Sequence, residues 1–303
     1  MSKKVFVSYS HRQSDWVLNR LAPCLKAGGA TVLLDVEQFK AGQTVIGQMD
    51  SLQDQADVSV LVLTDTYLAS DYCRHEMSRA LARDPGFVNG TTIPVKRADC
   101  PLPPDIATTP LWVNLINDKD AAQWDLLLAA CGADLGAEAP HWLEVRQDLL
   151  RALHNSESVN LVVTGQPKAK EMIDQLEQLL DAPRLGRVNL YSNQTATRPE
   201  LVKALLDACG LTMPVPVGAK DLGVLETAIF SKSLSRVALL HMDMIQRRPD
   251  YDVDLFSSLR YLAEERKLVM LAQSRNPLST LLPQDHPLSS FIPKVVELNG
   301  RKR

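Results

Sequence analysis

The chain has 303 residues, 45% apolar and 23% charged, a balance that excludes disordered and fibrous classes and, at about 150 residues per domain, suggests two domains. Its net charge of −3 gives no electrostatic reason to expect nucleic acid or an anionic membrane as partner. Five widely spaced cysteines without a C-x-x-C pair point away from zinc and redox pairs, and no stretch reaches the roughly 18 apolar residues of a membrane span, so a soluble protein of the reducing cytoplasm is expected.

Val5-Phe6-Val7 reads as a buried strand ending in the polar cluster Ser8-Tyr9-Ser10-His11-Arg12. That apolar run is too short for a signal peptide. A helix follows from about Asp15, with Trp16, Leu18, Leu21 and Leu25 as its apolar positions, and Gly28-Gly29 stops it. Residues 31–35 form the next strand, closed by Asp35, and 36–43 make a long connection into a helix containing Ile46, Met49 and Leu52. The unbroken apolar run 58–63 is expected as an interior strand covered on both faces.

A helix then begins near Ser70, with Cys73, Met77, Ala80 and Leu81 at i, i+4, i+7 and i+8. Glu76 falls about 60° from Cys73, on the border of core and solvent, where partial desolvation would strengthen its field. The alternative is a surface glutamate pairing with Arg79 at i+3. Residues 91–95 and 111–115 supply a fourth and a fifth strand. Strands alternating with helices imply a doubly wound parallel α/β sheet, whose ligands bind beyond the carboxyl ends of the strands. Ser8-Tyr9-Ser10, Asp35, Thr64-Asp65 and Glu76 converge there, although every α/β protein has polar residues in such turns.

Three segments, 5–10, 34–42 and the Ser70-x-x-Cys73-x-x-Glu76 frame, resemble in order and spacing the signature segments of Toll/interleukin-receptor (TIR) domains. The resemblance covers about residues 1–132 and implies a flavodoxin-like fold. The wording of 35–42 is close to that of NAD-cleaving members, and their glutamate maps onto Glu76 as catalytic residue. The resemblance implies NAD+ as substrate rather than cofactor, no metal, and contacts from Ser8, Tyr9, Ser10, Arg12, Asp35, Phe39, Lys40 and Cys73. Tyr72 stands where many relatives have Trp, and of Ser10-His11-Arg12 only Arg12 offers a permanent charge.

Cleavage of the nicotinamide–ribose bond passes through an oxocarbenium-like state, and one carboxylate beneath the ribose can stabilise it. Phe39 and Tyr9 or Trp16 are candidates to stack on a base, with plain helix core as the other role of Trp16. The family further implies self-assembly through the TIR domain, a linear or cyclic ADP-ribose product, and a setting in prokaryotic antiviral defence. A non-enzymatic adaptor is the competing class.

Residues 133–141 read as a linker, and 142–303 as a second α/β domain. Its helix 142–154, strand 159–164, Gly165 turn and helix 169–180 resemble a degenerate, shortened P-loop ATPase core of the STAND signalling type. A phosphate loop anchored on Gly165 needs Gly, Lys and Ser/Thr where Lys170, Glu171 and Met172 stand, so no ATP hydrolysis is expected, and the resemblance implies sensing, oligomerisation or docking of a regulatory protein or ligand. Asp243 ends a strand that is either Walker B-like or structural, and Lys168, Lys170 and Arg187 read as solvated surface.

Overall fold

The computed structural model describes residues 2–34, 45–108, 112–164, 169–180, 182–215, 220–283, 285–287, 292 and 294–299. The chain divides into two compact units, residues 1–143 and 144–303.

In the first unit five parallel strands, β1 (Lys4–Tyr9), β2 (Thr31–Leu33), β3 (Val58–Leu63), β4 (Thr92–Lys96) and β5 (Val113–Asn114), lie in the order β2-β1-β3-β4-β5. The switch in strand order, outward from β1 to β2 on one side and to β3 on the other, places a crevice at the carboxyl ends of β1 and β3. Every residue of β3 is buried, as a strand with neighbours on both sides and helices on both faces requires. The helix after β1 runs through Ser14–Trp16, a π turn Val17–Leu21 and Ala22–Ala27. Leu18 lies about 200° from Trp16 and is left exposed, and Val17 fills the core in its place. Gly28 closes this helix for a reason beyond backbone freedom: a Cβ there would stand 2.6 Å from that of Ala133. Gly29 follows with φ +91°.

The further helices of this unit are α2 (Val45–Asp54), the short α3 (Asp65–Leu68), α4 (Asp71–Arg83), α5 (Pro104–Ala107) and α6 (Ala121–Ala130). Ser70 accepts the Cys73 N–H at 3.4 Å as the N-cap of α4. α2 is fastened to α4 by Gln53, whose Nε2 donates to the Glu76 carbonyl at 2.9 Å, and by Arg79, which pairs with Asp50 at 3.1 Å and Asp54 at 2.7 Å.

The expected linker 133–141 is not a bare connection. Ala133 and Leu135 are buried, Gly136–Glu138 form a 3-10 turn, and α7 (Ala139–His154) already starts at Ala139, so the division between units falls inside a helix. The burial of two apolar side chains explains why a segment without a core-forming run is nonetheless ordered.

The second unit is likewise an all-parallel five-stranded sheet. Its strands β6 (Val159–Thr164), β7 (Leu185–Asn189), β8 (Ser235–Leu240), β9 (Leu268–Ser274) and β10 (Val295–Asn299) take the order β10-β6-β9-β8-β7. The connecting helices are α8 (Ala169–Leu179), α9 (Arg198–Ala208), α10 (Lys220–Phe230), α11 (Val253–Glu264) and α12 (Leu278–Leu281). Leu201, Leu205, Leu206 and Leu225 join Val237, Leu239 and Met270 in its main core. The fully buried Asn160 stitches this sheet together, donating to the Ala272 carbonyl and to Ser274 Oγ, both at 2.8 Å, and accepting the Leu278 N–H at 2.9 Å. Among the described residues no helix is long and apolar enough to cross a membrane.

Candidate active site of the first unit

Two elements bring a carboxylate and two hydroxyls together at the carboxyl end of β1. Thr64 caps α3 by accepting the Tyr67 N–H at 3.1 Å, which turns the Tyr67 ring inward against Leu61, Leu63, Cys73 and Ile106. Ser70 then starts α4, and one and a half turns later Glu76 faces β1. Glu76 is deeper than a border position: it is 4% exposed. The Ser8 hydroxyl donates to its Oε2, and Ser8 Oγ also lies 2.8 Å from the Tyr67 hydroxyl. Arg79 is turned to Asp50 and Asp54, so the surface pair with Glu76 does not form.

Burial drives the Tyr67 phenol well above its ordinary value; the bond to Ser8 opposes this, and the nearby charge of Glu76 adds to it. The phenol therefore stays protonated and remains a hydrogen-bond donor at every physiological pH.

The other residues singled out in the sequence separate. Ser8 and Tyr9 are buried, and the Cys73 thiol, also buried, donates to the Tyr9 carbonyl at 3.6 Å. The Tyr9 ring meets His11 edge-on with centroids 6.2 Å apart. Ser10 is half-buried and Arg12 exposed at the mouth of this edge. Trp16 is core: it packs on Trp124 at 6.0 Å, with the Arg97 guanidinium 5.1 Å over its ring. Tyr72 is exposed. Asp35, Phe39 and Lys40 lie outside the described residues. Tyr67 escaped the sequence reading because a tyrosine in a one-turn helix carries no periodicity; the Thr64 cap preceding it was the available signal.

In the second unit Gly165 and Lys168 also lie outside the described residues. Lys170 and Glu171 open α8, where Glu171 accepts from Gln175 at 3.1 Å. A cleft of about 910 Å³ at the carboxyl edge of this sheet is lined by Thr164, Lys170, Arg187, His241, Gln273 and Arg275, among others. Arg187 is not free surface, since Asp174 at 2.5 Å and Glu177 both hold it. Asp243 accepts the Arg275 backbone N–H at 3.0 Å, a structural bond between the ends of β8 and β9. Among the described residues no group of three or more His, Cys, Asp or Glu is placed to hold a metal ion.

A carboxylate buried at the crevice of a β2-β1-β3-β4-β5 sheet defines an α/β domain with an acidic site. Residues 5–128 match the family model described as TIR domain, and the first unit is a TIR domain. Over 72 residues the chain is 29% identical to Toll-like receptor 6 of Bos taurus and to Toll-like receptor 1 of Homo sapiens, matches that take in 24% of this chain and 9% of each receptor. The chain thus spans a small fraction of the curated relatives it matches. Among solved structures, the TIR domain of a Toll-related receptor from Hydra magnipapillata is similar with 14% identity and a TM-score of 0.38, over 43% of this chain and 98% of that one. The Aeropyrum pernix ORC2 protein, solved with ADPNP and ADP, is similar with 14% identity and a TM-score of 0.41, over 54% of this chain and 47% of that one.

Proposed function

We propose that the first unit is an NAD+ nucleosidase that releases nicotinamide and ADP-ribose, linear or cyclic, when the chain self-assembles, and that it serves as an effector in prokaryotic antiviral defence. The observation that carries this reading is Glu76, a carboxylate withdrawn from water and held by the Ser8 hydroxyl at the carboxyl end of β1. As the ribose C1′–nitrogen bond breaks, its electron pair returns to the nicotinamide ring, which was cationic and leaves neutral, so no general acid is needed. The positive charge left on C1′ and the ring oxygen faces the carboxylate of Glu76. Water then bonds to C1′ and releases a proton to solvent; attack by an atom of the adenine instead closes the cyclic product.

At 4% exposure Glu76 cannot carry a ribose without local rearrangement, and association with a neighbouring molecule is the event that would supply it. In this reading the second unit controls association. It lacks the phosphate-loop lysine, and Glu171 sets a negative charge in its place. The competing reading, a receptor-like scaffold with no chemistry, predicts no nicotinamide release at any concentration. The deciding experiment incubates the purified full chain with NAD+ over a range of protein concentrations and quantifies free nicotinamide.

A further inference from the structure

We infer that Tyr67 is a positioning residue for Glu76, acting through the Ser8 hydroxyl; this rests on the reading of Glu76 as the carboxylate that meets the ribose. A serine hydroxyl has one hydrogen. Ser8 donates that hydrogen to Glu76 Oε2, so the 2.8 Å contact with Tyr67 is made by the phenol's hydrogen. The direction of the chain is therefore fixed, from Tyr67 to Ser8 to Glu76. All three residues are buried, which excludes bulk water as a competing partner for either hydroxyl.

The phenol is itself held from two sides. Its backbone N–H is tied to Thr64 and its ring is packed among Leu61, Leu63, Cys73 and Ile106. A donor that cannot move and stays protonated removes the alternative rotors of Ser8, because the acceptor side of that oxygen is already occupied. The serine is left aimed at Oε2 of Glu76. Hydrogen bonds in series also polarise one another, so the phenol strengthens the bond that Glu76 receives. A phenylalanine at 67 would fill the same volume and keep the packing while deleting only this donor.

The test uses the full chain with four changes: Tyr67→Phe, Ser8→Ala, the two combined, and Glu76→Gln. Tyr67→Phe is expected to lower kcat about tenfold with KM within about twofold, and to lower the melting temperature by only a few degrees, the cost of one lost buried hydrogen bond. In the Ser8→Ala background the same change is expected to cost nothing further, since the path to Glu76 is already cut. A merely structural tyrosine would lower the melting temperature while leaving kcat unchanged, or would cost the same in both backgrounds. Independently of turnover, the carboxylate infrared band that Glu76→Gln abolishes is expected to shift in Tyr67→Phe. If the wild-type chain releases no nicotinamide at any concentration, the NAD+ reading falls alone, and the infrared band decides the relay. An unshifted band, an unchanged kcat, or equal losses with and without Ser8 would overturn the role of Tyr67.

Discussion

Glu76 owes its chemical potential to what surrounds it, a buried serine donor on one oxygen and a helix that fixes its backbone, with Gln53 donating to its own carbonyl. Glu76→Gln keeps the shape and deletes the charge, so turnover of NAD+ should fall on the order of 10²-fold or more while the fold persists. Nicotinamide release and a thermal melt on the same sample check both halves of that statement. Asp84 is the contrasting carboxylate, with a purely structural task. Burial opposes its ionisation, but the backbone N–H groups of Asn89, Thr91 and Thr92 donate to it and hold it below the ordinary aspartate range. A depressed folded value means that its stabilising contribution is complete above the unfolded value of about 3.9 and is lost as pH falls through the folded value. Asp84→Asn should therefore cost about 1–3 kcal/mol near neutral pH and flatten the acid flank of the stability curve, as urea melts across pH would show. Glu76 could be singled out because Ser70, Cys73 and Glu76 occupy fixed steps on one helix. Its true depth could not, because the contact that holds its carboxylate comes from Ser8, 68 residues away in the chain.

At the scale of elements, α4 is the support of the site, and its start is set by one side chain. Ser70→Ala removes the oxygen that accepts the Cys73 N–H and should destabilise the first unit by about 1 kcal/mol, measurable by denaturant unfolding. The strands were legible where hydrophobic runs are long: Val58–Leu63 matches its expected bounds because a strand buried on both faces has no polar alternation to blur it. Among the described residues the edge strand β5 spans only Val113–Asn114, since edge pairing is single-sided and gives the backbone less to hold. The segment after residue 132 reads as a linker in the sequence for a related reason. Its buried residues, Ala133 and Leu135, are too few to form a periodic run, and what orders them is a distant partner, Gly28, whose carbonyl accepts the Asp134 N–H at 2.7 Å. The tertiary contact at Gly28 appears in no local pattern.

For the whole molecule, a TIR domain with a nearly inaccessible carboxylate is joined to a second parallel α/β unit that keeps its core and lacks the phosphate-loop lysine. The second unit should hydrolyse no ATP, because Glu171 repels the phosphates where a lysine is needed and Asp243 is engaged by the Arg275 backbone; phosphate release by the full chain tests this, and robust turnover would refute it. In the proposed reading it contributes to association, so deleting it should change the concentration at which the first unit becomes active. The most direct measurement is nicotinamide release from NAD+ by the full chain, as specific activity against protein concentration, with Glu76→Gln run in parallel. Specific activity that rises steeply with concentration in the wild type and is absent from Glu76→Gln is the predicted result, whereas no release from the wild type, or equal release from both, would contradict it.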